Sequence, residues 1–262
     1  MTTEQAATAD ESSAPRADGV APRSARRGWL VFLRDVLIIV LIAVLVSFLV
    51  KTFLVRSFYI PSGSMEDTLL VNDRILVDEI TPRFGSYQRG DIVVFRDPGG
   101  WLPPDNSPPR APIVEGIDWL LSLVGLSAPD SDDHLVKRLI GLPGDHLVCC
   151  NAIGQITVND VPIDETSYLK IPSVGAPASA DPFDVVVPPD SLWVLGDNRY
   201  HSKDSRYNTD QPGKGFVPLE NVVGRAFLIT WPFNRFGMLD PHHEVFTGVP
   251  EGTGTSEDDG AP

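Results

Sequence analysis

Cysteine is almost absent from this 262-residue chain, which holds only Cys149 and Cys150, side by side. Neither a disulfide framework nor a four-ligand zinc site can be built from that pair alone. Two readings of it stand: strand neighbours facing opposite sides of a sheet, which simple alternation favours, or a ring-closed pair suited to an oxidising compartment. Positive charge is short as well. Lys and Arg number 21 against 35 Asp and Glu, a formal charge of −14. A nucleic-acid binder needs a cationic face against phosphates, and no Lys/Arg cluster here outweighs that balance. The chain also lacks an H-E-x-x-H pair and a G-x-S-x-G elbow, and His242-His243 is a weak ligand pair. No metal and no cofactor are expected. Hydrophobic residues at 42% and charged residues at 21% leave room for an ordinary core.

Long apolar runs are scarce too, and one stands out. Residues 1–28 are rich in Ala, Ser, Thr, Glu and Asp without apolar period and read as a disordered tail. Arg23, Arg26 and Arg27 then precede Leu30 to Val50, which is apolar enough to span a bilayer if Arg34 snorkels near the inner interface. Residues 29–55 are therefore expected to form a single transmembrane anchor. The upstream arginines put the N-terminus in the cytoplasm and all that follows outside. A cleaved secretory signal is the rival, but Ser62-Gly63-Ser64 is a poor cleavage pattern and lies far from the apolar run. Phe53 to Ile60 reads as a short apolar linker to the external domain.

From residue 56 to 240 the signals are strands and turns. Arg74–Val77, Asp91–Phe95, Leu135–Ile140, His146–Cys150, Gln155–Val158, Asp184–Val187, Leu192–Leu195 and Val222–Trp231 are rich in β-branched or aromatic residues and bounded by Gly, Pro, Asn and Asp. Asn159-Asp160 marks a hairpin turn before Val161-Pro162-Ile163. The expected fold class is mainly β, a large antiparallel domain. Residues 98–134 look like an insertion, with a Pro/Gly-dense loop to Pro112 and an apolar stretch, Ile117 to Leu126, expected to pack on the sheet. Residues 241–262 read as a disordered acidic tail.

Three pieces carry candidate chemistry. In Leu135-Val136-Lys137-Arg138-Leu139-Ile140, alternation sets Lys137 between Leu135 and Leu139 on one face and Arg138 on the other. Burial disfavours an ammonium and lowers a lysine pKa, and a neutral amine near pH 7 is a competent general base. Pro61-Ser62-Gly63-Ser64-Met65 offers hydroxyls about a turn, with Gly63 removing a side chain where a substrate carbonyl would approach. Gly196 to Arg206 (GDNRYHSKDSR) is a polar loop whose Asp197, Arg199, Asp204 and Arg206 suggest a fixed charge network.

Together these segments identify a resemblance. Ser57–Leu69 (SFYIPSGSMEDTL), Gly90–Phe95 (GDIVVF), Val136–Asp145 (VKRLIGLPGD) and Gly196–Arg206, in that order behind an apolar anchor, resemble the successive boxes of bacterial type I signal peptidases. The likeness runs from about the anchor to Phe233 and skips the 98–134 region. It implies the signal peptidase β fold and a Ser-Lys serine endopeptidase of the cell membrane. On that likeness Ser64 is the nucleophile and Lys137 the base. Ser62 supplies an oxyanion donor beside the Ser64 N–H, and Ser202 orients the lysine amine. Asp204 and Arg206 form a supporting pair, with Asp197 and Arg138 in the same scaffold. Implied partners are exported preproteins bearing signal peptides, membrane lipids and the protein-export machinery. One departure is Glu66-Asp67, where family members often carry proline, and a local change of turn is expected there.

Rival readings are a His-based triad through His134, His146, His201, His242 or His243, and an S-x-x-K enzyme through Ser167-Tyr168-Leu169-Lys170. A self-cleaving repressor protease would share the Ser-Lys dyad, but the anchor and the lack of a DNA-binding segment count against it. A catalytically silent, membrane-tethered β scaffold that binds exported proteins is the non-enzyme alternative.

Overall fold

The computed structural model describes residues 23–53, 55–80, 85–103 and 133–252, with helix side chains from 28 to 46. The tails at 1–22 and 253–262 and the apolar stretch Ile117 to Leu126 lie outside the described residues. The chain divides into two compact units, residues 1–46 and 47–262.

The first unit is helical. Helix α1 runs Arg23–Phe53. Within it Gly28–Val46 is long and apolar enough to cross a membrane, and its side chains are exposed rather than packed in a core. At 1.5 Å per residue those residues reach ~28 Å, close to the thickness of a hydrocarbon core. The Arg34 guanidinium bonds the neighbouring Asp35 carboxylate at 2.9 Å, partly neutralising the one charged step in the stretch.

The second unit is built of antiparallel strands: β1 Val55–Tyr59, β2 Arg74–Asp78, β3 Ile92–Arg96, β4 His134–Gly141, β5 His146–Cys149, β6 Ile156–Val158, β7 Val161–Pro162, β8 Phe183–Val186, β9 Ser191–Leu195, β10 Val217–Pro218, β11 Val222–Trp231 and β12 Gly237–Met238. The large sheet has the order β1-β2-β11-β3-β4-β9-β10, with β12 on β11, and the small sheet is β7-β6-β5-β8. Asn159 and Asp160 both take positive φ, the hairpin geometry their residue types permit.

Three local readings change. Val55–Tyr59, taken from sequence as linker, is a strand, because Phe58 turns fully inward and Val55–Tyr59 pairs along β2. Cys149 and Cys150 are disulfide-bonded. Alternation does not govern them because β5 ends at Cys149 and Cys150 lies beyond the ladder. The segment after Asp240, expected to be a disordered tail, is folded as far as Val249. Phe246 is buried in the core shared with Leu147 and Trp193, with Val245 and Val249 packed beside it. Its composition hid three apolar docking residues among Gly, Thr and Glu.

Sheet order is what positions the chemistry. β4 lies between β3 and β9, with Lys137 opposite Val93 and Arg138 opposite Leu195. The polar loop that follows Leu195 therefore emerges beside Lys137. On the other side, the turn holding Ser64 connects β1 to β2 and is sunk into the core by Met65 and Leu69, both essentially unexposed. Leu69→Ala is expected to lower the unfolding free energy by about 2–5 kcal/mol, read by denaturant unfolding of the full chain in detergent.

Candidate active site

The Ser64 turn is held from two sides. Leu69 N–H donates to Met65 O at 2.8 Å and closes it from within. Asn198, just past β9, grips it from without: its backbone N–H donates to Ser64 O at 3.1 Å and its side-chain amide to Gly63 O at 3.0 Å. Among the described residues nothing accepts the Ser64 N–H. That donor is free beside the hydroxyl. Gly63 has a different use from the one expected. The Glu66 carboxylate occupies the place a side chain would take there, and Glu66 and Asp67 both accept from Lys170 Nζ, at 3.3 and 2.9 Å. A lysine clasp thus secures the turn at Glu66-Asp67, where the sequence departs from the family likeness.

Lys137 Nζ lies 2.8 Å from Ser64 Oγ and also donates to Val136 O at 3.0 Å. The lysine is 4% exposed and Ser64 8%. Burial pushes the amine pKa down to about 8, against the opposing pull of Asp204 and Asp197. An ammonium donates to Oγ in this geometry, whereas a neutral amine takes the hydroxyl proton. Ser62 Oγ stands 3.4 Å from Ser64 Oγ, a loose contact that leaves the Ser62 hydroxyl available to another acceptor.

The two charges opposing Lys137 burial belong to a buried framework. Asp197 takes a bidentate pair from Arg138, both bonds 2.8 Å, and a third bond from Thr68 Oγ1 at 2.6 Å. Asp204 takes a bidentate pair from Arg206, again 2.8 Å each, and accepts from Gly196 N–H at 3.0 Å. Arg199 pairs with Glu165, which also accepts from Tyr168 Oη at 2.7 Å. Each guanidinium has further carbonyl partners: Gly90 O and Pro241 O for Arg138, Gly196 O for Arg199, and Arg199 O for Arg206. Bidentate geometry and satisfied donors are what let such pairs stay buried.

The site residues expected from sequence thus come together as Ser64, Lys137 and Ser62, beside the Asp197–Arg138 and Asp204–Arg206 pairs. Ser202 departs from expectation. Its hydroxyl is buried but makes no hydrogen bond, to Lys137 or to any other described group. Any side chain at Gly196 would overlap both Ser202 Oγ and Ser64 O, so Ser202 abuts the site without bonding the base. Sequence reading gave no role to Asn198 or Glu165, and named Tyr168 and Lys170 only in the rival S-x-x-K string. Asn198 and Arg199 lay inside the GDNR string, but Glu165 had no signal beyond its charge.

The rival constellations do not assemble. No histidine hydrogen-bonds Ser64 among the described residues, and His201 contacts Asn198 instead. In Ser167-Tyr168-Leu169-Lys170, Ser167 is exposed and Lys170 is committed to Glu66 and Asp67. Beside the dyad lies a cleft of about 110 Å³, walled by Phe58, Ile60, Met65, Leu102, Leu135 and Val136. A buried amine on a hydroxyl beside a small apolar cleft is an arrangement that acyl transfer to serine can use.

A family profile described as "Signal peptidase, peptidase S26" matches residues 33–231. The chain is 39% identical over 245 residues to signal peptidase I of Mycobacterium tuberculosis, covering 87% of this chain and 81% of that protein. It is 38% identical to a probable signal peptidase I of Mycobacterium leprae, covering 88% and 86%. A solved signal peptidase I from Enterococcus faecalis aligns with 53% of this chain and 96% of its own, at 23% identity and a TM-score of 0.32.

Removing one member of a buried pair strands the other. Arg138→Met is expected to cost about 3–5 kcal/mol of stability because Asp197 stays buried without its counter-ion. Thermal unfolding of the full chain, with the Arg138→Met/Asp197→Leu double variant recovering part of the loss, checks this.

Proposed function

The chain belongs to the signal peptidase family, peptidase S26, and is a serine endopeptidase; from that premise we propose that it removes N-terminal signal peptides from exported preproteins with Ser64 as nucleophile and Lys137 as general base. The observation that carries the mechanism is the 2.8 Å contact between a buried lysine amine and a serine hydroxyl.

The chemistry follows from those atoms. Neutral Lys137 takes the Ser64 proton as Oγ attacks the scissile carbonyl, giving a tetrahedral intermediate. The unengaged Ser64 N–H and the Ser62 hydroxyl receive its oxyanion, each such donor lowering a barrier by roughly 3–4 kcal/mol. As the intermediate collapses, the lysine ammonium protonates the departing amine and the acyl group remains on Ser64 as an ester. Water, deprotonated by the same amine, then hydrolyses the ester and regenerates the hydroxyl. The small apolar cleft favours substrates with small residues, typically Ala, at the first and third positions before the cut, as the family likeness implies.

Helix α1 is the membrane anchor in this reading, with the arginine-rich N-terminus cytoplasmic and the β domain outside. Holding enzyme and preprotein on one membrane surface raises their effective concentration. Lipids around the anchor and the export machinery that delivers preproteins are the remaining partners.

Ser64→Ala and Lys137→Ala are each expected to lower preprotein cleavage by at least ~10³-fold, while His201→Ala remains active. Mass spectrometry of products from the full chain in detergent reads both the rate and the cut site. Activity persisting in either dyad variant removes the mechanism, and a wild-type chain that cleaves nothing removes the function.

The pH profile tests the base separately. Below its pKa of about 8 the amine is an ammonium and cannot accept a proton, so kcat/KM should fall about tenfold per pH unit on the acid side and level off above. A profile flat between about pH 6 and about pH 9 contradicts a lysine base.

A further inference from the structure

One polar side chain in the cleft has no part in the dyad. His134 opens β4 three residues before Lys137 and lines the same cleft as Ser62 and Ser64. Its side chain is only 5% exposed, and the ring packs against Phe58 at 5.1 Å between centroids. Neither ring nitrogen has a hydrogen bond among the described residues. Nδ1 at least lies 2.6 Å from the Asp133 carboxylate, whose backbone is fixed by Asp97 N–H bonding Asp133 O at 3.1 Å. Nε2 has nothing. A buried polar atom without a partner is costly, and in a substrate cleft the missing partner can come with the substrate.

We propose that His134 is a specificity-determining residue whose Nε2 hydrogen-bonds a hydroxyl-bearing side chain, serine foremost, at the third position before the scissile bond. The inference rests on the function proposed above. A peptide lying extended with its scissile carbonyl at Ser64 sends alternate side chains to one wall, about 7 Å apart. The first of these meets Ser64 and Lys137, and the next on that side reaches toward the His134 end of β4. The cleft is small, which limits the occupant to a short side chain. Apart from Tyr59 and the reacting-site residues Ser62, Ser64 and Lys137, its other walls are apolar, which leaves His134 to meet a polar side chain away from the scissile bond. A hydroxyl suits this imidazole in either protonation state, because it donates to a neutral Nε2 and accepts from a protonated one. The Asp133 carboxylate beside Nδ1 favours the neutral tautomer protonated there, which leaves Nε2 as the acceptor.

The test compares three peptides that differ only at the third position before the cut, carrying Ala, Ser or 2-aminobutyrate, the hydroxyl-free isostere of serine. With the wild-type full chain in detergent, kcat/KM for the Ser peptide is expected to exceed that for the 2-aminobutyrate peptide by about tenfold, the worth of one hydrogen bond. Equal rates overturn the proposal without recourse to any variant. In His134→Phe the Ser/2-aminobutyrate ratio should fall to near one, and His134→Gln, which keeps an acceptor and a donor, should restore part of it. Taking the ratio cancels any general loss of activity or folding in the variants, and a ratio unchanged in His134→Phe also overturns the proposal. Failure of the wild-type chain to cut the Ala peptide would instead sink the proposed function, so the two failures are distinguishable.

Discussion

A lysine amine held out of water against a serine hydroxyl is the constraint around which the rest of this domain is organised. Removing an ammonium from solvent is expensive, so burial lowers the amine pKa to about 8 and eases release of its proton. The neutral amine, the form able to accept a proton, thereby becomes accessible near pH 8 instead of only above about pH 10. Two carboxylates oppose this, because Asp204 and Asp197 both favour the charged lysine. Their own arginines blunt that pull. Each carboxylate is bidentately engaged, so its charge is largely spent locally, and burial remains the dominant influence on Lys137.

The same ion pairs act as scaffolding between segments far apart in the chain. Asp197 joins β4 through Arg138 to the nucleophile turn through Thr68. Asn198, the next residue, fastens the carbonyls on either side of the Gly63–Ser64 peptide. Asp204 ties the end of β9, at Gly196 N–H, to the short helical turn at Arg206. Ser64, Lys137 and the loop after β9 arise from three separate sequence regions, and each is fixed to another by at least one buried polar bond. Acyl-transfer chemistry needs that fixity, since sub-ångström misplacement of Oγ or Nζ weakens both proton transfer and attack.

Much of this was legible in the residues. The strands announced themselves through β-branched runs between turn formers, and Lys137 through its leucine neighbours on an alternating face. Order of the polar boxes then joined Ser64, Lys137 and the Asp197 to Arg206 loop. What stayed hidden has physical causes. β1 was masked by its nearness to the apolar span, whose hydrophobicity swamps a short strand's pattern. Glu165 meets Arg199 across a sequence distance that no local pattern encodes. The silent Ser202 hydroxyl and the Glu66–Lys170 clasp depend on side-chain rotamers, and the reading of residues after Asp240 leaned on composition while Phe246 supplied the anchor.

That C-terminal stretch has a consequence for anyone trimming the gene. Pro241 O accepts from Arg138, the guanidinium that also holds Asp197, and Pro250 O accepts from Arg89, the partner of buried Asp145. His243 meets Asp91 at 3.0 Å on the way. Residues 241–250 are therefore a buckle that fastens onto β4 through Arg138 and onto the turn before β3 through Arg89. A stop codon placed at Asp240 for convenience would undo it, stripping carbonyl acceptors from two arginines and opening the site from behind.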